Sequence, residues 1–322
     1  MKRILILFIT ILYIFNITGC SAKEKEKLSM TGVYFDTIVS IDIWGGNPDI
    51  LDHCRQLCEH YEQLFSRTIA TSEVAKINAA NAQPVTVSDE TADIIQKALY
   101  YCELSNGKFD ITIAPLSELW DIKNNTGKII PDQAAIDEAK SHVDYHNVIV
   151  EGNQVALTDP KAGIDLGAIA KGYIADQLKT YLASESVEHA LINLGGNVLT
   201  LGGRLDGSDF NIGIQKPFDE QNEPITTVKI NNKSIVSSGN YERYFEKDGV
   251  IYHHIIDPKT GYPCQNTLYQ VTIISDFSTD GDALSTICFA LGLTEGSRLV
   301  EATDGIQAIF VTKDYELHYV SY

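Results

Sequence analysis

Positive charge is scarce in this chain: 25 Lys and Arg stand against 43 Asp and Glu, a formal net charge of −18. That deficit argues against nucleic acid as a partner, because such binding depends on neutralising phosphates with Lys and Arg. It also means that a phosphate-bearing ligand would need a cation to offset repulsion, Mg²⁺ being the usual one. Cysteines in metal or disulfide spacing are missing too. Setting Cys20 aside, Cys54, Cys58, Cys102, Cys264 and Cys288 are odd in number and form no CxxC pair. This excludes a disulfide framework and a zinc site of the usual pattern. Cys54 and Cys58, at i and i+4 on a helical pattern, are most simply core residues. No internal repeat or low-complexity domain linker interrupts the chain. No apolar run is long enough for a comfortable membrane span of about 20 residues.

The nearest to such a run is at the start. Lys2 and Arg3 precede an apolar stretch from Ile4 to Ile17, broken only by Thr10 and Asn16. This matches a secretory signal. Ile17-Thr18-Gly19-Cys20 resembles a bacterial lipobox, so residues 1–20 are expected to be a lipoprotein signal peptide, with lipid on Cys20. An ordinary signal with an incidental Cys is the weaker reading, given the place directly after Gly19. The Lys/Glu-rich stretch that follows predicts a flexible tether over 21–30, leaving 31–322 as one catalytic unit. Its location is then the cell membrane, lipid-anchored and facing outside the cytoplasm.

What is present has an ordinary globular composition, 44% hydrophobic and 21% charged in 322 residues. Val33 to Ile43 alternates like a strand. Asp49 to Phe65 is an amphipathic helix with Leu51, Cys54, Leu57, Tyr61 and Leu64 on one face. Ser72 is a plausible helix cap, and a second long helix runs from an N-cap at Ser88 to a stop at Asn106-Gly107. Phe109 to Pro115 puts Asp110 and Thr112 in a short extended run, where they could line a site or cap the helix starting near Pro115. Gly127 to Thr158 fits a helix and a hairpin. Ala190 to Leu201 predicts a strand interrupted by Gly195-Gly196, and Phe210 to Ile214 another. Tyr241 to Ile256 predicts a hairpin about Asp248-Gly249. Asp280 to Leu293 is helical, followed by a short helix and a closing hairpin from Ile306 to Tyr319. Mixed helices and hairpins of this kind predict an α+β fold, a single mixed domain.

Three clusters carry chemical potential. In Asp165 to Asp176, Gly163 and Gly167 flank Asp165, and Ile169, Tyr173, Ile174 and Leu178 form a helical stripe. A short strand, a glycine turn and a helix N-terminus suit a phosphate, although a strand-to-helix joint with no ligand shows the same pattern. Asp282 and Thr286 lie one turn apart on a helix, so their oxygens can converge on a hard cation. Spacing alone favours the simpler alternative, a dipole-favoured Asp and a Thr bonding its own backbone. His253 and His254 are neighbours on a strand and point to opposite faces, so only one can serve a given pocket. A lone His is more often a satisfied polar residue than a catalyst. His254 leads into Asp257, Pro258, Thr260 and Gly261, a density of constrained polar residues unusual in a structural turn. His254 is the expected base, with Asp257 near enough to orient it.

Seven segments taken together resemble the ApbE-type FAD:protein FMN transferases, over essentially the whole chain beyond the tether. They are Phe35-Asp36-Thr37, Ser72-Glu73 with Asn78, Phe109 to Thr112, Asp165 to Tyr173, Ser237 to Tyr241, His254 to Pro263, and Asp282 to Thr286. The resemblance implies a fold related to tunnelling-fold domains. It implies FAD as donor, pyrophosphate cleavage with release of AMP, and esterification of the FMN phosphate to a Thr or Ser hydroxyl of a partner flavoprotein. An exported or membrane redox protein would be that acceptor. By motif position, Mg²⁺ would be held by the backbone carbonyl of Ala168 and the side chains of Asp282 and Thr286. FAD would contact Phe35, Thr68, Lys108, Phe109, Asp110, Asp165, Lys171, Ile256 and Ser285. Many members carry Met-Gly-Thr in place of Phe35-Asp36-Thr37, and an aromatic residue in place of Thr68, so a stacking surface is missing here. Two rival activities share these motifs: a Mg²⁺-dependent FAD pyrophosphatase, in which water replaces the acceptor, and a lipid-anchored FAD-binding protein without catalysis.

Overall fold

The computed structural model describes residues 25–219 and 223–321. The expected signal peptide, lipobox and the first tether residues, 21–24, lie outside the described residues. No helix among the described residues is long and apolar enough to cross a membrane.

The chain opens with β1 (Lys27–Tyr34) and β2 (Thr37–Trp44), an antiparallel pair in which Val33 faces Ile38 and Tyr34 faces Thr37. Lys27 to Met30 therefore belong to a strand rather than to the tether expected there, and Met30 is buried. The single strand expected over Val33 to Ile43 is a hairpin. Its turn residues, Phe35 (φ 54°) and Asp36 (φ 60°), both sit in the left-handed region, as the tightest hairpin turns require. No glycine marks the reversal, so the apolar residues on either side read as one run.

After α1 (Pro48–Phe65) and α2 (Glu73–Asn78) come the short β3 (Val85–Thr86) and α3 (Asp89–Leu104). Ser72 and Ser88 cap α2 and α3 by accepting the N–H groups of Ala75 and Thr91. The next elements are α4 (Ala114–Trp120), α5 (Gln133–Lys140), the hairpin β4 (Val148–Glu151) and β5 (Gln154–Leu157), and α6 (Ala170–Ser184). Then β6 (Ala190–Leu194) and β7 (Asn197–Leu201) form a hairpin whose turn is Gly195-Gly196, not one interrupted strand. A side chain at Gly195 would strike Thr37 Oγ1 at 2.1 Å, which explains that glycine.

The remainder is β8 (Phe210–Gln215) with β9 (Pro224–Ile230), β10 (Ser234–Gly239), the hairpin β11 (Tyr244–Lys247) and β12 (Val250–His253), β13 (Leu268–Ser275), α7 (Ser278–Glu301), and β14 (Gln307–Thr312) with β15 (Leu317–Ser321). The β11–β12 turn is Asp248-Gly249, both at positive φ, as the sequence predicts. Gly292 (φ 77°, ψ 178°) breaks α7 into the two helical pieces expected.

Eight strands form one antiparallel sheet in the order β1-β2-β6-β7-β10-β13-β14-β15. Alternation along β14 shows what covers it. Ala308 and Phe310 enter the core under α1, α3, α6 and α7, whereas Ile309 joins Phe210, Ile214 and Ile230 of the β8–β9 hairpin on the other face. A smaller cluster of Leu116, Trp120, Ile136, Phe245 and Ile256 ties α4 and α5 to the β11–β12 hairpin. The architecture is the mixed α+β single domain expected. Cys54 and Cys58 lie in its core, and all five described cysteines are free and buried.

Candidate active site

A glycine sets the deepest part of the site. At Gly172, α6 presses so closely on the start of α7 that a Cβ there would lie 2.2 Å from the Ser278 carbonyl oxygen and 2.8 Å from Asp282 Cβ. This contact lets the Gly172 N–H donate to Asp282 Oδ2 at 2.8 Å. In a regular helix that N–H would bond back to the carbonyl of Ala168, which here is left without its helical donor. Ala168, Asp282 and Thr286 line one cavity of about 550 Å³, together with Lys171, whose Nζ is 3.8 Å from Asp282 Oδ1. Thr286 Oγ1 meets Ser238 Oγ at 3.1 Å. A carbonyl, a carboxylate and a hydroxyl are hard oxygen donors, and this set fits Mg²⁺.

Ser285 is placed otherwise than expected. It is fully buried, gives its hydroxyl to the Asp282 carbonyl at 2.9 Å and meets Ser238 Oγ at 2.8 Å. It therefore braces Asp282 and Ser238 from behind the wall. The helical spacing that puts Thr286 on the cavity side turns its neighbour inward.

The two histidines part as alternation demands. His253 is buried with Nε2 2.7 Å from the Cys264 carbonyl and its ring edge-on to Phe289; burial pushes its pKa down to about 4. His254 lines the cavity. Its backbone N–H donates to the Arg243 carbonyl at 3.2 Å, and its Nδ1 is 3.4 Å from the same oxygen. A carbonyl only accepts, so Nδ1 carries the proton in that contact and Nε2 keeps its lone pair. Desolvation foremost, then His253, Arg243 and Lys171, pushes the His254 pKa down to about 3.

Asp257 does not orient His254. Its Oδ2 binds Lys108 Nζ at 2.7 Å and its Oδ1 accepts the Lys259 N–H at 2.9 Å. The turn reverses the chain after Ile256, so Asp257 lies behind the wall while Lys108 and Ile256 line it. Its work is to hold Lys108 in place.

The other rim is made of chain reversals and loops. The Phe35 N–H donates to Glu62 Oε1 of α1 at 2.7 Å, and Asp36 pairs with Lys123 at 2.9 Å. Phe109 and Asp110 line the cavity, but the Asp110 carboxylate serves structure. Its Oδ1 accepts the N–H (2.8 Å) and hydroxyl (2.6 Å) of Thr112, and its Oδ2 accepts the Tyr145 N–H at 3.0 Å. It does not cap α4, which starts after Ile113 with no side-chain cap. Burial raises the Asp110 pKa in spite of those donors. The stretch before Asp165 is a single bridge from Gly163 to Ile113, not a strand. Asp165 Oδ2 pairs with Arg67 Nε at 3.0 Å, and α6 begins at Ala170 without a side-chain cap. Thr68 is exposed at the rim.

Sequence reasoning missed Arg67, Ser238, Glu242 and Arg243, all of which line the cavity. The Ser237 to Tyr241 motif stops one residue short of Glu242. The only local signal was a charged pair directly behind a strand-ending glycine and asparagine.

An α+β domain around an eight-stranded sheet, with an oxygen-donor corner, Lys171 and a cavity-facing imidazole in one cleft, defines a protein built to hold a phosphate-bearing ligand. The chain belongs to the ApbE family, whose model matches residues 35–310. It is 40% identical over 298 residues to an FAD:protein FMN transferase of Klebsiella pneumoniae (strain 342), covering 92% of each chain. A Treponema pallidum (strain Nichols) protein of the same name is 31% identical, with 93% of this chain and 88% of that protein covered. Among solved structures, the ApbE protein of Thermotoga maritima superposes with a TM-score of 0.84 at 31% identity, over 92% of this chain and 97% of its own. The flavin transferase ApbE of Vibrio cholerae gives 0.83 at 25%, over 92% and 98%.

Proposed function

We propose that this chain transfers FMN from FAD to a Thr or Ser hydroxyl of another protein, with release of AMP. The observation that carries the reading is the meeting of Ala168, Asp282, Thr286, Lys171 and His254 in one cavity, in a chain matched along its length by FAD:protein FMN transferases. Phosphoryl transfer asks a protein mainly for positioning and charge neutralisation.

Mg²⁺ bound by the Ala168 carbonyl, Asp282 and Thr286 would supply charge neutralisation at the pyrophosphate. Five cations line the cavity (Arg67, Lys108, Lys123, Lys171, Arg243) against seven carboxylates (Asp36, Glu62, Asp110, Asp121, Asp165, Glu242, Asp282). The lining thus holds a surplus of negative charge that a divalent ion offsets. Lys171 meets the remaining phosphate charge, and the uncapped start of α6 adds the positive end of a helix dipole. His254 offers Nε2 to the incoming hydroxyl. Phe35, Thr68, Lys108, Phe109, Asp110, Asp165 and Ile256 form walls for the flavin and adenosine parts. The lipobox-like Cys20 supports a lipid anchor at the outer face of the cell membrane, with an exported or membrane redox protein as acceptor.

The test is incubation with FAD, Mg²⁺ and a Thr-bearing acceptor domain, read by intact mass. The expected product is an acceptor heavier by one FMN less water, with AMP released. AMP without acceptor modification would make the chain a pyrophosphatase, and neither product would leave it an FAD-binding protein.

A further inference from the structure

Among the seven carboxylates that line the cavity, six are engaged. Asp36 is held by Lys123, Glu62 by the Phe35 N–H, Asp110 by Thr112 and the Tyr145 N–H, Asp121 by Asn124, Asp165 by Arg67, and Asp282 by the Gly172 N–H. Glu242 is the one of these seven, all described residues, whose side chain has neither a hydrogen bond nor an ion pair. It sits on the loop between β10 and β11, exposed to solvent while lining the cavity. The next residue, Arg243, receives both the backbone N–H and Nδ1 of His254 on its carbonyl. That tie fastens the Glu242 loop to the strand end that carries His254, and both side chains line the same cavity.

The charges around Glu242 come from three elements. Lys171 on α6 and Arg243 on its own loop favour its ionised form, and Asp282 on α7 opposes it, while Tyr241 precedes it on the loop. Desolvation by the walls is the largest influence and raises its pKa above the ordinary carboxylate value. His254 is in the reverse position, since the same Lys171 and Arg243 disfavour its protonated form. The Glu242 pKa is raised above the ordinary carboxylate value and that of His254 is lowered to about 3, so of the two groups the carboxylate is the stronger base.

We propose that Glu242 is a further catalytic residue, the base that receives the proton of the acceptor hydroxyl. The inference rests on the transferase reading above. In the step, the hydroxyl O–H breaks and its proton passes to a Glu242 carboxylate oxygen. The freed oxygen forms a bond to the flavin-side phosphorus, the bond from that phosphorus to the bridging oxygen breaks, and AMP leaves with the electron pair. Glu242 then releases its proton to water through the mouth. The hydroxyl carries a single proton, so in this step Glu242, and not His254 Nε2, accepts it.

The experiment compares wild type, Glu242→Gln and Glu242→Asp by acceptor flavinylation rate across a range of pH, by FAD affinity from flavin fluorescence, and by thermal unfolding. Glu242→Gln should lose ~10²–10⁴-fold in rate, the range for a positioned base, with FAD affinity and unfolding unchanged. The wild-type rate should fall on the acid side as the carboxylate takes up a proton; the Gln variant should lack that limb. Glu242→Asp, which keeps the carboxylate, should recover part of the rate and keep the limb. A Gln variant with the wild-type rate and profile overturns the proposal and leaves the transferase reading standing. A rate loss matched by lost FAD affinity overturns it too, making Glu242 a binding residue. A wild type that releases AMP but modifies no acceptor brings down both.

Discussion

The two sides of the cavity are built differently. One side is the contact of α6 with α7, where Gly172, Asp282 and Ser285 are buried and the Gly172 N–H, the Asp282 carboxylate and the Ser285 hydroxyl each have a partner. The other is assembled from a hairpin tip, a helix end and two loops, with Phe35 and Asp36 at positive φ and Thr68, Glu242 and Arg243 exposed. Packing fixes the first side, because close-packed interiors leave almost no room for a changed volume. Only local turns and single contacts fix the second. The expected metal corner falls on the rigid side, and Phe35-Asp36 and Thr68, which the resemblance marks as departures, fall on the open one. The expected metal corner and the walls for the ligand's outer parts are thus separated in space, with Glu242 reaching the cavity from the open side.

Gly172→Ala tests the rigid side most severely. The added Cβ meets the Ser278 backbone and Asp282, and neither α6 nor α7 can give way without disturbing the core. Overpacking of this kind costs ~1–3 kcal/mol and sometimes more. The variant should unfold at lower temperature and lose transfer activity through displacement of Asp282. Wild-type stability and rate would show that the α6–α7 contact is not what holds the corner.

Asp282→Ala removes the acceptor of the Gly172 N–H and the one carboxylate of the oxygen-donor set. Loss of several kcal/mol of charge stabilisation predicts a drop of at least ~10³-fold in FMN transfer, and EDTA should abolish transfer by the unaltered enzyme. An orphaned Gly172 N–H adds ~1–3 kcal/mol of destabilisation, so unfolding should be measured beside activity. Full transfer by the wild type in chelator would remove Mg²⁺ from the mechanism.

The same division explains what the sequence disclosed. The helices of the core carry a regular apolar period, and Ser72, Ser88, Asp248-Gly249 and the break near Leu293 were legible from caps and turns. Asp282 and Thr286 were legible as a pair because a helix fixes the i, i+4 relation. Strands β9, β10 and β13 escaped notice as strands. All of β13 except Tyr269 is buried, so it lacks alternation, and four of the six residues of β10 are Ser or Gly. The hairpin turns at Phe35-Asp36 and Gly195-Gly196 were read as mid-strand because pairing partners decide where a β-rich run folds back. Asp257 was assigned to His254 by closeness in sequence, whereas Lys108, 149 residues away in the chain, claims it. Ser285 was assigned to the flavin by motif position, which carries no information about which face of α7 it takes.

Thr68→Tyr probes the open side, with the smallest effect. Thr68 is exposed at the rim, and its backbone N–H donates to Ser66 Oγ at 3.2 Å, as does that of Ile69 at 3.1 Å. Those backbone bonds survive a change of side chain; only the 3.2 Å contact between the Thr68 and Ser66 hydroxyls is lost. A ring at this place regains a stacking surface for the flavin or adenine, worth ~0.5–1.5 kcal/mol, so FAD should bind about 2- to 12-fold more tightly at 1.4 kcal/mol per tenfold. Because stacking on the outer rings is shared by ground and transition states, the gain should appear in KM for FAD and leave kcat unchanged. Unfolding temperature should not move, since nothing packs over Thr68. A fluorescence titration in which affinity falls, or a kinetic comparison in which kcat changes with it, would show the open side to be coupled to the phosphate corner and would dissolve the division between the two walls.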